Sequence, residues 1–107
     1  MKVKVKFFAT FRELFGGEAK EVELGSGSNI QDLLNLLCDS RQRRQEIFDR
    51  SGKLRPYIKI LKNGRDIKFL EGVRIELEGE PIQFLGGIHA KLADGDMVAI
   101  FPPVGGG

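Results

Sequence analysis

The sequence MVAIFPPVGGG, residues 97–107, joins five consecutive apolar residues to two prolines and three glycines. A continuous apolar run is typical of a strand that is buried on both faces and therefore lies in the centre of a sheet. Because proline fixes φ and keeps the preceding residue extended, Pro102 and Pro103 predict a short stiff segment beyond that strand. We expect the glycines to form a thin tail, since glycine has no Cβ.

A second apolar strand is predicted near the start of the sequence. KVKVKFF, residues 2–8, alternates with period two, which places Val3, Val5 and Phe7 on one face. KEVEL, residues 20–24, resumes the alternation and predicts a hairpin with a long connection. Because the first and last strands are the most apolar, we expect them to lie side by side in the middle of the sheet.

A helix is predicted after this hairpin. Ser28 and Gln31 have the spacing of a capping box. Apolar side chains then follow at helical spacing, at Ile30, Leu33, Leu34, Leu37 and Cys38. The polar and basic stretch 40–56 predicts a second helical stretch followed by a loop.

The second half of the sequence predicts further strands. Asn63 and Gly64 tolerate the positive φ angles of a tight turn, so residues 57–69 indicate a hairpin around them. IKFLEG, residues 67–72, is echoed by IQFLGG, residues 82–87, and we interpret residues 73–91 as an inserted strand pair. LADGD, residues 92–96, predicts a turn before the last strand.

These elements predict an α+β fold in a single domain spanning residues 1–107. One main helix that crosses one face of a curved mixed sheet is the β-grasp, ubiquitin-like arrangement. A domain of this length buries about two-thirds of the surface that its unfolded chain exposes. We expect residues 102–107 to be a flexible tail beyond the packed part.

The composition argues against several classes of function. Seventeen basic and 15 acidic residues give a net charge of +2, which is no argument for nucleic-acid binding. No apolar run has the length of a membrane helix and no signal-peptide pattern is present, so we expect a cytoplasmic protein without membrane contact. The lone Cys38 excludes an internal disulfide and a cysteine-based metal cluster within one chain.

Candidate catalytic groups are few. His89 is the only histidine and has no partner at metal-ligand spacing, so we interpret it as a surface or turn residue and predict no metal site. Cys38 lies on the apolar face of the predicted helix, which favours a buried inert thiol. The alternative is a thiol whose pKa is lowered by Arg41, Arg43 and Arg44. No self-contained active site is visible.

Three stretches resemble the MoaD/ThiS group of ubiquitin-like sulfur carriers. They are FFATFREL (residues 7–14), the hairpin at Asn63 and Gly64, and LADGDMVAIFPPVGGG (residues 92–107). The likeness is greatest to the small subunit of molybdopterin synthase, whose members end in DGD-x-V-A-x-F-P-P-V-x-G-G. It spans residues 1–70 and 92–107, whereas residues 73–91 look like an insertion.

The resemblance implies the β-grasp fold and a reaction at the terminal glycine. In that family an E1-like adenylating enzyme uses ATP to join the glycine carboxylate to AMP, and a sulfur donor displaces AMP to leave a thiocarboxylate. The tail then enters the large subunit of molybdopterin synthase and donates its sulfur to the pterin precursor. By this resemblance the chain is a non-catalytic, sulfur-donating subunit that binds no cofactor itself.

The resemblance also assigns roles to individual residues. Gly107 carries AMP and then sulfur. Phe101, Arg12 and Ile67 match partner-binding positions, Arg12 resembling a contact to the activating enzyme. The segment that threads into the partners' active sites comprises Pro102, Pro103, Val104, Gly105 and Gly106. The plain alternatives are that Phe101 is a core residue and that Arg12 is a solvated loop residue.

Three functions follow from these observations as hypotheses. The chain is a sulfur carrier, or a protein modifier whose activated Gly107 is attacked by a lysine amine, or a β-grasp interaction module with an inert tail. Activation is common to the first two, so the sequence does not separate them. It also leaves open whether the final sulfur acceptor is a molybdenum or tungsten cofactor precursor, an RNA base or a thiazole.

Overall fold

A computed structural model describes residues 1–70, 74–77, 80–84 and 87–103. Its strands are β1 (Lys2–Phe7), β2 (Ala19–Glu23), β3 (Lys59–Lys62), β4 (Arg65–Asp66), β5 (Arg74–Leu77), β6 (Glu80–Phe84) and β7 (Met97–Phe101). Its helices are α1 (Thr10–Phe15), α2 (Ile30–Leu37) and α3 (Arg41–Ile47), with 3₁₀ turns at Ile67–Phe69 and Gly87–His89.

Five strands form one mixed sheet in the order β2-β1-β7-β3-β4. β1 and β7 run parallel in its centre, with Val5 opposite Val98, and the remaining neighbours are antiparallel. The prediction that the first and last strands are adjacent is therefore confirmed, as is the α+β fold class. The parallel pair requires a long crossover, and α2, α3 and the β3–β4 hairpin lie within it.

The core lies between the sheet and the helices. It takes alternate residues of the strands and the apolar positions of all three helices. The sheet contributes Val3, Val5, Phe7, Val22, Ile60, Val98 and Ile100, and the helices contribute Phe11, Phe15, Ile30, Leu33, Leu34, Leu37 and Ile47. Because the buried strand residues share one face, the helices all pack on that side of the sheet.

Strand β7 alternates between core and solvent despite its continuous apolar sequence. Val98 and Ile100 are fully buried, whereas Met97 is 39% exposed. The expectation that both faces of this strand are buried is therefore wrong, because the helices pack on one face alone. The opposite surface, which we call the open face, carries Lys4, Lys6, Lys59, Leu61, Met97, Ala99 and Phe101.

The connection between β1 and β2 contains helix α1, which the sequence patterns did not predict. Phe11 and Phe15 lie one turn apart on this helix and are both buried. Their rings meet edge to face, and the Phe15 ring stacks on Phe7 with centroids 4.6 Å apart. A helix of six residues is too short to show clear periodicity, so packing on the core decides its conformation.

Helix α2 begins one residue later than predicted. Its capping box is formed by Asn29 and Asp32: the Asp32 amide donates to Asn29 Oδ1, and the Asn29 amide donates to Asp32 Oδ2, both at 2.9 Å. The predicted box of Ser28 and Gln31 is wrong, because the Ser28 hydroxyl donates to the Gly25 carbonyl instead. The predicted second helical stretch is confirmed as α3, which Ser40 caps.

Both later strand pairs are confirmed. Asn63 and Gly64 join β3 to β4 with φ angles of 49° and 85°, as a tight turn requires. The inserted pair between residues 73 and 91 is present as the antiparallel strands β5 and β6, which form a sheet of their own. Within the described ranges, no helix has the length and apolarity needed to cross a bilayer.

A polar cluster holds the start of β7. Asp96 accepts hydrogen bonds from Asn63 Nδ2 at 2.9 Å and from the Ala93 amide at 2.8 Å, and it lies 3.8 Å from Lys62 Nζ. Asn63 Oδ1 in turn accepts from the Met97 amide at 2.9 Å. The Asp96 side chain is only 12% exposed, whereas its partner Asn63 is an exposed turn residue. These hydrogen bonds join the β3–β4 hairpin to the beginning of the last strand.

Candidate functional site

The candidate site lies at the end of β7, where the chain leaves the sheet. Phe101 is the last residue of the strand and lies on the open face. Its ring stacks on Phe8, with centroids 4.2 Å apart and ring planes 10° from parallel. The parallel register produces this contact. Phe7 lies opposite Ile100 on the core side, so the next residue of each strand, Phe8 or Phe101, points to the open face.

Arg12 lies beside this aromatic pair. Its Nε donates to the Phe7 carbonyl at 3.2 Å, and its guanidinium carbon lies 5.8 Å from the centroid of the Phe8 ring. A second guanidinium nitrogen lies 3.7 Å from a Glu18 carboxylate oxygen. The Arg12 side chain remains 48% exposed, so a cation is presented next to the Phe8 ring. We call Phe8, Arg12 and Phe101 the exit site.

Phe8 is the member of this site that the sequence analysis missed. It follows a strand whose inward residues are Val3, Val5 and Phe7, so its position in the alternation directs it away from the core. An aromatic residue on the outward side of a strand was the available signal. Its contact with Phe101 was not predictable from local pattern, because the two residues are nearly the whole chain apart.

Ala9 connects Phe8 to helix α1 through a strained turn. Its φ and ψ are 52° and −131°, the Phe11 amide donates to the Phe8 carbonyl at 3.1 Å, and the Arg12 amide donates to the Ala9 carbonyl at 3.1 Å. This geometry is close to the second position of a type II′ turn, which is dominated by glycine. For a residue with a Cβ it costs about 1–3 kcal/mol.

The remaining predicted site residues divide into three groups. Pro102 is half-buried and Pro103 is exposed, beyond the last paired residue of β7. Val104, Gly105, Gly106 and Gly107 lie outside the described residues, so their roles stay predictions. Ile67 is 3% exposed and belongs to the core, which leaves it little surface for a partner. Its partner-binding role also stays a prediction.

The open face near the exit site combines apolar and basic groups. Ala99 and Leu61 are half-buried neighbours in the centre of this surface, and Met97 continues it toward the start of β7. Lys4 and Lys59 are exposed on the flanking strands. A half-buried apolar strip beside lysines is the composition of a surface that can dock a protein with complementary acidic groups.

Cys38 and His89 lie apart from this site. Burial of the Cys38 thiol raises its pKa from 9.0 to about 11, and this desolvation outweighs the opposite effect of Arg44. The predicted burial of Cys38 is confirmed, and the direction of its pKa shift is opposite to that of a thiol activated by arginines. His89 is exposed in the 3₁₀ turn Gly87–His89, as predicted for a turn residue. The described part of the chain contains no group of three or more His, Cys, Asp or Glu side chains placed to hold a metal.

Comparisons with known proteins give consistent results. A sequence profile of the ThiS family matches residues 5–107. Small archaeal modifier protein 3 of Haloferax volcanii is 30% identical over 107 residues, which cover the whole of both chains. The solution structure of small archaeal modifier protein 1 from Methanosarcina acetivorans is 32% identical, with a TM-score of 0.69, covering 99% of this chain and 96% of that one.

A third relative carries a different description. A Pyrococcus furiosus protein described as molybdopterin converting factor subunit 1 is 29% identical, with a TM-score of 0.63. The match covers 97% of this chain and 99% of that one. These similarities confirm the β-grasp, ubiquitin-like fold that the sequence patterns predicted.

Proposed function

The chain belongs to the ThiS family of ubiquitin-like sulfur carriers and modifiers, and we propose that its reactive position is the carboxylate of Gly107. The observation that carries this proposal is the exit site. It holds Phe101 at the end of a central strand, and Pro102 and Pro103 then direct the chain away from the sheet. The glycines that follow are slender enough to enter a narrow active site.

Activation by a partner is the first step of this proposal. A carboxylate is a poor electrophile, because its charge is shared by two oxygens. An E1-like enzyme transfers AMP from ATP to the Gly107 carboxylate and releases pyrophosphate, which creates a good leaving group at the acyl carbon. ATP and the sulfur donor are therefore used by the partner, and this chain supplies the docking surface and the tail.

We propose the open face and the exit site as that docking surface. Phe101 and Phe8 offer adjacent aromatic rings, and aromatic and arginine side chains dominate the binding energy of many interfaces. Arg12 adds a half-exposed cation that pairs with a carboxylate of the activating enzyme. Docking on this surface places the tail at the partner's active site and limits the access of water to the acyl adenylate.

Two fates of the activated Gly107 are supported by particular relatives. In the first, a sulfur donor displaces AMP and the thiocarboxylate donates sulfur to a molybdopterin precursor in the large subunit of the synthase. Similarity to the Pyrococcus furiosus protein supports it. In the second, a lysine amine of another protein attacks the same carbon and forms an isopeptide bond. Similarity to the two archaeal modifier proteins supports this fate equally well.

Co-expression of the chain with its activating enzyme, followed by intact mass measurement, tests the proposal. A mass gain equal to the replacement of one oxygen by sulfur supports the carrier, and conjugates to lysines of other proteins support the modifier. A chain that lacks all three terminal glycines is the matched control and should give neither product. If Gly107 remains a plain carboxylate with ATP, enzyme and sulfur donor supplied, the proposal is wrong and an inert interaction module remains.

A further inference from the structure

Ala9 has a backbone conformation that its residue type does not explain. Within the described ranges, the residues with positive φ are six glycines, Asn63 and Ala9. Asparagine is several-fold enriched at positive φ, whereas alanine pays the steric cost of its Cβ. The ψ of −131° places Ala9 near the second position of a type II′ turn, where glycine, asparagine and aspartate predominate and alanine is strained.

In the free chain, packing of the Ala9 side chain does not offset the steric cost of this backbone conformation. The Ala9 side chain is exposed, so its methyl group adds little to the core. The turn itself does not need the methyl either, because glycine adopts the same angles without strain. Glycine at position 9 would therefore remove the strain of the free chain without loss of buried surface.

The position of Ala9 indicates where the methyl group is used. The residue before it is Phe8, which stacks on Phe101. The next turn of chain carries Arg12, whose amide donates to the Ala9 carbonyl and whose guanidinium lies over Phe8. Ala9 thus lies on the exposed turn that joins two members of the exit site.

We propose that Ala9 is a contact residue of the docking surface, whose methyl group is buried against the activating enzyme. This inference rests on the proposed function. The strain of the free chain is offset in the complex, where the methyl packs on an apolar part of the partner beside the carboxylate that pairs with Arg12. The partner surface is accordingly apolar opposite Phe8 and Ala9 and acidic opposite Arg12.

The test compares Ala9→Gly with Ala9→Ser, which keeps the Cβ. The activating enzyme is purified, and its affinity for each chain and its ATP-dependent activation of each chain are measured beside the thermal unfolding midpoint. Ala9→Gly should raise the midpoint by about 4 °C, because the strain is relieved. It should also weaken binding about fourfold, the effect of losing one buried methyl group. Ala9→Ser keeps the Cβ and the strained turn, so its unfolding midpoint should stay close to that of the unchanged chain, whereas its binding should weaken because a hydroxyl is then buried against an apolar surface.

Ala93→Gly is the matched control. Ala93 is an exposed turn residue before the start of β7 and is not among the residues with positive φ. Glycine there should lower the unfolding midpoint slightly, through the entropy of the unfolded chain, and leave binding unchanged. The opposite signs of the two stability effects separate strain relief from the general effect of an alanine-to-glycine change.

Each other outcome overturns the inference. If Ala9→Gly binds and is activated as well as the unchanged chain, the methyl makes no contact, while the proposed function stands. If Ala9→Gly is less stable than the unchanged chain, the strain that motivates the inference is absent. If the unchanged chain is not activated at all, the proposed function fails and this inference fails with it.

Discussion

The side-chain contacts at the first residue of strand β7 are directional hydrogen bonds, whereas the side-chain contact at its last residue is an aromatic stack. Asp96 and Asn63 form a polar cluster with the β3–β4 hairpin at the start. At the end, the Phe101 ring stacks on Phe8, and both residues are half-buried. Directional hydrogen bonds fix one geometry, while a half-buried aromatic pair leaves surface for a second protein.

Under the proposed function, the start of β7 contributes mainly to stability and its end mainly to docking. The polar cluster maintains the position of β7 between β1 and β3, and the stack orients the segment that leaves the sheet. The comparison therefore predicts that changes at the start of β7 alter unfolding with little effect on activation. Changes beyond its end should do the reverse.

The largest expected effect is at Gly106. Gly106→Val should reduce activation or sulfur transfer at least about 100-fold, because a branched Cβ misplaces the acyl carbon in a channel that fits glycine. Urea unfolding should be unchanged, since the substitution lies beyond the sheet. Gly105→Ala is the control, because Gly105 stands at the x of the V-x-G-G ending that the sequence resembles, and it should retain most of the activity. Full sulfur transfer by Gly106→Val would contradict the predicted difference between the two ends of β7.

The next effect is at Asp96. Asp96→Ala should lower the free energy of unfolding by about 2 kcal/mol, because the Asn63 amide and the Ala93 amide lose their acceptor. Urea denaturation measures this change. Asp94→Ala removes one exposed bond to the Lys2 amide and should cost about 0.5 kcal/mol. Activation per folded molecule should stay unchanged in both variants, and a selective loss in Asp96→Ala would contradict the separation.

A smaller effect is expected in the aromatic stack. A double-mutant cycle of Phe8→Ala and Phe101→Ala should give a coupling of about 1 kcal/mol in the free energy of unfolding. Phe101→Ala should also weaken binding to the activating enzyme about tenfold, as expected of a central aromatic contact. Met97→Ala, on the same face at the other end of β7, should change binding much less. Equal losses of binding affinity in Phe101→Ala and Met97→Ala would contradict the predicted difference between the two ends of β7.

The last prediction concerns Cys38, a buried residue of the core, where no effect on activation is expected. The unfolded Cys38 thiol ionises near its ordinary pKa of 9.0, whereas the folded thiol holds its proton until about pH 11. The unfolded state therefore binds fewer protons in this window, and stability should fall as the pH rises from about 9 toward 11. Cys38→Ala should lessen that slope in urea titrations while leaving activation at neutral pH intact. If the stability of Cys38→Ala falls with pH as steeply as that of the unchanged chain, Cys38 ionisation does not contribute to this pH dependence.

Local patterns predicted most of the sheet. The period-two alternation of β1, the turn residues Asn63 and Gly64, and the apolar run of β7 each correspond to a strand or turn that the structure contains. Helix α2 was predicted from its apolar spacing, but its cap was assigned one residue too early. Helix α1 was missed, because two buried phenylalanines on six residues give no periodic signal.

The sequence by itself determined which residues of β1 enter the core, where the chain turns at Asn63 and Gly64, and that prolines and glycines follow the last strand. Those features depend on neighbours within a few residues. Only the tertiary structure decided that one face of β7 stays open, that Phe8 meets Phe101, and that Ala9 is strained. These depend on a parallel pairing between the two ends of the chain and on which side the helices pack, and no local propensity specifies either.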